Sequence, residues 1–107
     1  MSEVAELFDG ATGLWNVQTE TSSYVINMDE RIAMRVPASG AGIHPDHAEN
    51  RIVVVNTLPH DNDWFSFTKL EQCEVGKVMY IYEDSRLGKR RSTLVRKIQR
   101  VYNNEQI

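Results

Sequence analysis

The sequence predicts an all-β protein: a small twisted antiparallel sheet of about six short strands, curled into a partly open barrel, with a short N-terminal helix. Apolar and polar residues alternate on both sides of a polar turn at Asp29 and Glu30, which is typical of a β-hairpin. The run VMYIY at residues 78–82 is rich in residue types that suit a pleated surface. Clusters of turn-forming residues separate these segments.

The first expected element is a helix over residues 1–10. Ser2 would cap it, and Val4, Leu7 and Phe8 would share one apolar stripe. About two helical turns are not stable alone, so we expect this helix to pack on the sheet. Strands are expected after it at residues 14–19, 23–28, 31–36, 51–57, 64–73 and 78–82, with loops at residues 38–50 and 58–63.

The last element has two interpretations. Leu94, Ile98 and Val101 fit a helical stripe, which would make the protein an α+β sandwich with a C-terminal helix. Residues 91–96 fit equally well as a strand that pairs back onto residues 78–82. The periodicity of the residues leaves both interpretations open.

A single core follows from the alternation along the strands. Its expected members are Trp15, Val17, Tyr24, Ile26, Met28, Ile32, Met34, Val36, Val53, Val55, Phe65, Phe67, Leu70, Val78, Tyr80, Leu94 and Ile98.

The composition is that of one ordinary globular domain spanning residues 1–107, with 41% hydrophobic and 25% charged residues. The longest wholly apolar run, at residues 52–55, is far too short to span a membrane. The first ten residues carry three acids and no base, so no secretory signal is expected. Cys73 is the single cysteine and excludes an intrachain disulfide. A cytoplasmic location is therefore expected.

Charge is divided unevenly along the chain. Residues 1–50 hold eight acids and two bases, whereas residues 51–107 hold seven acids and ten bases. The basic stretch, residues 86–100, contains no acid and is the predicted partner-binding region. Its bases are Arg86, Lys89, Arg90, Arg91, Arg96, Lys97 and Arg100.

An acidic protein surface is the partner that this basic stretch favours, which makes a small interaction module the first functional hypothesis. Nucleic acid is the alternative, because Tyr80, Tyr82 and Tyr102 could stack on unpaired bases. A third interpretation is a solvated face that balances the acidic half, with the tyrosines in the core. Self-association through exposed strand edges is also expected, and membrane binding is not.

No residue set in the sequence predicts catalysis, so no enzyme and no cofactor are expected. His44 and His47 are three residues apart and, with His60 and Cys73, could surround a zinc ion. A structural zinc site usually shows two paired ligand motifs, and here there is one, so no metal site is predicted. Cys73 lies between acids, which disfavours a reactive thiolate.

Two segments carry a family resemblance. The first is LWNVQT at residues 14–19 with SYVINMD at residues 23–29 and an ending that has Arg31, Arg35, Val36 and Pro37; the second is LEQCEVGKVM at residues 70–79. In them the chain resembles short actinobacterial and actinophage-type β-domain proteins of unknown function. The resemblance implies a compact β domain, a strand near Thr93 and an origin on a phage or another mobile element. It implies no activity and transfers no catalytic residue.

Overall fold

Nine β-strands form the regular secondary structure of the residues that this computed structural model describes, namely 3–37, 42–46, 51–55, 61–84 and 89–101. In chain order they are β1 (Glu3–Val4), β2 (Leu14–Thr19), β3 (Ser22–Asn27), β4 (Ile32–Pro37), β5 (Gly42–Asp46), β6 (Arg51–Val55), β7 (Trp64–Gln72), β8 (Val78–Glu83) and β9 (Lys89–Val101). No helix occurs in the described ranges. The all-β prediction is confirmed for this part of the chain.

Six strands close into an antiparallel barrel. The chain passes through β2, β3, β4, β7 and β8 so that each strand pairs with the next, and β9 then pairs with both β8 and β2. Strand β1 pairs with β9 outside this ring. The predicted antiparallel sheet is therefore confirmed. The prediction of a partly open barrel is wrong, because β9 is long enough to pair on two sides.

Strand β9 achieves this closure with two β-bulges. The first lies opposite Met79, whose backbone N–H donates to the Ser92 hydroxyl at 2.9 Å instead of to a backbone carbonyl. The second places Arg96 as an extra residue opposite the end of β2. Bulges bend a strand and increase its twist. They therefore let one strand pair with β8 along its first half and with β2 along its second.

The bulges also resolve the two interpretations of the C-terminal element in favour of a strand. Ser92, Val95 and Ile98 are the buried residues of β9, and they are spaced three apart. An uninterrupted strand would bury every second residue. The interval of three thus arises from the bulges, although it resembles helical spacing in the sequence.

The helix predicted over residues 1–10 is wrong for the described residues 3–10. Glu3 and Val4 pair with β9, and the backbone N–H of Leu7 donates to the Cys73 carbonyl at 2.8 Å. Leu7 is buried against the core. An extended segment satisfies its backbone groups on the barrel, whereas two isolated helical turns gain little from their own hydrogen bonds.

The loop predicted at residues 38–50 is wrong in its centre. Strand β5 occupies Gly42–Asp46 and pairs with β6 as an antiparallel two-stranded sheet inserted between β4 and β7. Residues 38–41 and 47–50 lie outside the described part of the chain. The strand expected at residues 51–57 is confirmed over Arg51–Val55.

The predicted core is confirmed for half of its members and wrong for a third. Confirmed as buried are Trp15, Val17, Tyr24, Ile26, Met28, Phe67, Leu70 and Ile98, and Phe65 packs partly buried against them. Not in the core are Ile32, Met34, Val36, Val78, Tyr80 and Leu94, each of which is only partly buried. For Val53 and Val55, in β6, only the backbone is described.

The errors in β4 and β8 have one cause: each strand presents its other face to the interior. In β4 the buried residues are Ala33 and Arg35, and in β8 they are Met79, Ile81 and Glu83. The more apolar face of β4 points outward because a buried ion pair, described below, holds Arg35 inside.

Gly13 holds the start of β2 in a backbone conformation that favours glycine. Its φ is +98°, its N–H donates to the Asp29 carboxylate at 3.2 Å, and its carbonyl accepts from the Met28 N–H at 2.8 Å. A Cβ here would lie 2.8 Å from the Arg100 guanidinium. The connection between β3 and β4 is thus tied to the first strand of the barrel.

Replacing Gly13 by alanine is expected to lower the free energy of unfolding by about 1–3 kcal/mol, because the left-handed backbone is strained for any residue with a Cβ. Urea denaturation monitored by tryptophan fluorescence measures this change. Gly10→Ala is the matched control: a Cβ at Gly10 meets no atom within 4 Å, so a change below ~0.5 kcal/mol is expected. Equal effects of the two substitutions would contradict this account.

Cys73 is buried, and burial together with nearby Glu6 raises the pKa of its thiol to about 12 from 9.0. We expect a thiol reagent at pH 8 to label the folded protein at least about a hundredfold more slowly than the chain in guanidinium. The folded state keeps a proton that the unfolded chain releases, so stability should fall as pH rises from 9.0 towards 12. Rapid labelling of the folded protein would contradict the burial of this residue.

Candidate binding site at the polar end of the barrel

The two ends of the barrel interior differ in polarity. We call the end formed by the β2–β3 turn, the end of β4, the end of β8 and the start of β9 the polar end. Thr19, Ser22, Arg35 and Glu83 are buried there. The opposite end is apolar and includes Trp15, Met28, Leu70 and Cys73, with Leu7 packed against them. Because polar groups inside a small barrel are costly unless they are paired, their partners define the candidate site.

The deepest charge pair joins β4 to the start of the segment before β7. One guanidinium nitrogen of Arg35, Nη1, donates to both carboxylate oxygens of Asp61 at 2.7 and 2.6 Å. The two side chains are only 7% and 3% exposed. The backbone N–H of Asn62 also donates to the Arg35 carbonyl at 2.8 Å. This pair therefore keeps Arg35 inside although the rest of its strand is apolar.

A second pair joins β8 to β9. Nε of Arg90 donates to the Glu83 carboxylate at 2.7 Å, and Nη2 contacts the same carboxylate. The guanidinium lies 4.2 Å from the centre of the Phe65 ring, a cation–π contact. Burial raises the pKa of the nearby Tyr24 phenol, and the positive charge of Arg90 opposes this larger effect. Arg90 is thus held by a carboxylate and an aromatic ring.

Tyr24 brings a neutral hydroxyl into this charged cluster. It is 2% exposed, and burial raises the pKa of its phenol above 10.0 although Arg35 and Arg90 oppose this rise. The phenol is therefore protonated at neutral pH. A protonated phenol can donate its O–H and accept at its oxygen, so Tyr24 offers the cleft a neutral hydroxyl.

The β2–β3 turn forms the wall above this cluster. The Thr19 hydroxyl accepts from the Ser22 backbone N–H at 3.1 Å and bonds the Ser22 carbonyl at 3.0 Å, which closes the turn. The Glu20 N–H donates to the Leu94 carbonyl at 3.1 Å. Arg96 and Glu20 form an ion pair at 3.5 Å. The turn is thereby held against the middle of β9.

A cleft of about 600 Å³ runs between this turn and β9. Its lining residues are Glu20, Thr21, Ser22, Tyr24, Arg35, Val78, Arg90, Arg91, Ser92, Thr93 and Leu94. The lining has three guanidinium groups and one carboxylate. Asp61 and Glu83 neutralise two of the arginines but are not themselves lining residues. This composition favours a ligand that is rich in hydrogen-bond acceptors and carries negative charge.

Arg91 differs from the other arginines of the cleft. It is exposed, and within the described ranges no carboxylate forms an ion pair with it. Its register partner in β8 is Tyr80, so it lies on the outward side of the sheet at the rim of the cleft. The rim therefore carries a positive charge that is not neutralised within the described part of the protein.

The structure places the other predicted binding residues apart from one another. Lys89 is exposed on the outer face of β9, 3.3 Å from the Glu71 carboxylate. Lys97 pairs with Glu3 at 3.3 Å. Arg100 packs over the Trp15 ring at 5.8 Å, against Gly13. Arg86 lies outside the described residues. Of the predicted residues that the structure describes, Arg90 and Arg91 line the cleft, Lys89 precedes them on the strand, and Arg96 pairs with the lining residue Glu20.

Sequence reasoning missed Tyr24, Arg35, Asp61 and Glu83 as parts of a site. The one signal available in the sequence was Arg35, a charged residue within an otherwise apolar strand. Because Ile32 and Met34 were expected to be buried, alternation predicted that Arg35 faces solvent. The Arg35–Asp61 pair forms because the chain brings Asp61 next to β4. The pairing of the barrel strands sets this position, and the local sequence does not.

No metal site is found among the described side chains, which contain no group of three or more potential ligands close together. His44 lies in β5, where only the backbone is described, and His47 and His60 lie outside the described residues. In the same described ranges, no helix has the length and apolar character needed to cross a membrane. No protein-family model matches this chain, and no match was found among the curated proteins or the solved structures compared with it.

Removing one partner of the Arg35–Asp61 pair is expected to be far more damaging than removing both. Arg35→Met leaves a buried carboxylate without its counter-charge and should lower the free energy of unfolding by about 3–5 kcal/mol. Arg35→Met combined with Asp61→Leu should recover most of that loss, because the buried charge is gone. Urea denaturation of the single and double variants measures both effects.

Lys77→Met is the control for this comparison. Lys77 forms an exposed pair with Glu74 at 3.2 Å, so its loss should cost less than ~1 kcal/mol. A double variant as unstable as Arg35→Met alone would show that charge burial is not what links these two residues.

Proposed function

We propose that the protein is a small non-enzymatic interaction module that binds an acidic surface of a partner protein through the outer side of β8 and β9. The observation that carries the proposal is Arg91, an exposed guanidinium with no ion pair among the described residues. Exposed charges of this kind steer and orient partners of opposite charge. The proposal retains the acidic partner favoured by the sequence and narrows the binding region to one face.

The binding region, which we call the cationic face, is formed by Lys69, Tyr80, Tyr82, Lys89 and Arg91. Lys69 and Tyr82 are register partners, as are Tyr80 and Arg91. The Lys89 ammonium lies 4.2 Å from the centre of the Tyr80 ring, so the long lysine side chain is held in place on the sheet. Ordered cations lose less conformational entropy on binding than free ones do.

Nucleic acid is the second candidate, because aromatic rings and cations share this face as they do in single-strand binding proteins. Two contacts favour the protein partner instead. Lys89 covers the Tyr80 ring, and the Glu71 carboxylate raises the pKa of the Tyr82 phenol beside it. A base would have to displace the lysine and approach the carboxylate, whereas an acidic protein surface needs to reach only the cations.

Three further expectations from the sequence belong to this proposal. They are a cytoplasmic location, an origin on a phage or another mobile element, and self-association through strand edges. The closed ring pairs the edges of the six barrel strands with one another. Self-association would therefore use the outer edge of β1 or the inserted β5–β6 hairpin.

Reversing two charges on the cationic face is expected to weaken binding to an acidic polypeptide. Lys89→Glu with Arg91→Glu should weaken binding of poly-L-glutamate at least about tenfold, measured by fluorescence anisotropy at low salt. Arg90 is left unchanged, because its reversal would place a second carboxylate beside buried Glu83 and unfold the polar end.

Lys77→Glu with Lys97→Glu makes the same charge change elsewhere and should bind nearly as well as the unmodified protein. Oligothymidylate serves as the second probe, measured over a range of salt concentrations. Tighter binding of the oligonucleotide, with affinity falling steeply with salt, would favour the nucleic-acid alternative. Equal losses in both double variants would contradict the assignment of binding to this face.

A further inference from the structure

We propose that the cleft beside the cationic face is a peptide-binding site that seats an acidic residue of the partner together with an adjacent apolar residue. This inference rests on the proposed function and names the chemistry of its recognition. Three properties of the cleft carry it: the distribution of charge, the supply of hydrogen-bond donors and an apolar strip next to both.

The charge of the cleft favours an acid at the rim. Arg35 and Arg90 are each neutralised by a buried carboxylate, and Arg96 is neutralised by Glu20. These three arginines therefore add hydrogen-bonding groups to the region of the cleft but little net charge. Among the described lining residues, Arg91 adds an exposed positive charge at the rim. A ligand carboxylate would gain a charge-assisted hydrogen bond there without displacing an existing partner.

Hydroxyl groups that line the cleft supply hydrogen-bond donors for the carbonyl oxygens of a bound peptide. Tyr24 lines the cleft, is almost fully buried and keeps its hydroxyl proton at neutral pH, so it can donate to an acceptor of the ligand. Thr21 and Thr93 bond one another at 3.2 Å with one hydroxyl as donor and the other as acceptor. Peptide backbone has acceptors at every residue, so it suits such a lining better than a compact inorganic anion does.

The apolar strip gives the site its third contact. Val78 and Leu94 are register partners, are partly buried and line the cleft. They form an apolar surface where β8 and β9 meet, close to Arg91. An aliphatic side chain next to the acidic residue would cover this strip. The volume of about 600 Å³ falls within the range of clefts that bury one compact ligand.

The test uses two labelled peptides of eight residues, one alternating glutamate with leucine and one with glutamine in place of each glutamate. We expect the glutamate peptide to bind and the glutamine peptide to bind at least about tenfold more weakly. Arg91→Gln removes the rim charge and Tyr24→Phe removes only the buried hydroxyl. Each should weaken the glutamate peptide several-fold, with the larger loss for Arg91→Gln, whereas Lys97→Gln on the same strand should have no effect.

The outcomes separate this inference from the proposed function. If Arg91→Gln binds the glutamate peptide more weakly and Tyr24→Phe binds it unchanged, the peptide does not bind in the cleft. The cationic face then remains the binding surface. Unchanged binding in both variants would overturn both proposals. Preserved thermal unfolding of Tyr24→Phe is required for this comparison, because Tyr24 belongs to the core.

Amide chemical shifts of the unmodified protein provide a measurement that depends on no substitution. Addition of the glutamate peptide should shift the backbone amides of Ser22, Thr93 and Leu94 more than those of Lys69 and Tyr82. Shifts confined to Lys69 and Tyr82 would place the peptide on the outer face alone and overturn the inference.

Discussion

The rest of the structure depends on the double pairing of β9. Without it, β8 and β2 would each present an unpaired edge, and the interior would be open along its length. To pair with β8 on one side and β2 on the other, β9 must bend, and its two bulges produce this bend. The first bulge also brings Ser92 and Thr93 to the cleft. Barrel closure and the candidate site therefore arise from the same irregularity.

The sequence predicts the strands of the barrel well, because each strand has a local pattern of its own. It fails where a tertiary contact decides the face or the conformation. In β4, alternation alone would bury Ile32 and Met34, but the contact of Arg35 with Asp61 inverts the strand. In β9, bulges produce an interval of three that local reasoning cannot distinguish from a helix. In residues 3–10, hydrogen bonds to β9 and Cys73 replace the helix that a short apolar stripe suggests.

The candidate site is predictable only at its rim. A run of bases without acids indicates Arg90 and Arg91, because charge clustering is visible in a linear sequence. The pairing of Arg96 with Glu20 and of Lys97 with Glu3 is not visible there, since the partners lie more than seventy residues away. Folding thus neutralises part of the basic stretch and leaves a smaller exposed set. Tyr24 enters the site for the same reason: the ring brings the inner face of β3 beside β9.

In the chain, the β5–β6 hairpin is inserted between two barrel strands that contact one another directly. Met34 of β4 pairs with Trp64 of β7, and the Asn62 N–H donates to the carbonyl of Arg35. These contacts join the strand before the insertion to the segment after it. Because lengthening a closed loop costs little entropy, foreign sequences of varied length could be grafted there. A constant barrel with one variable insertion is thus suited to serve as a display scaffold.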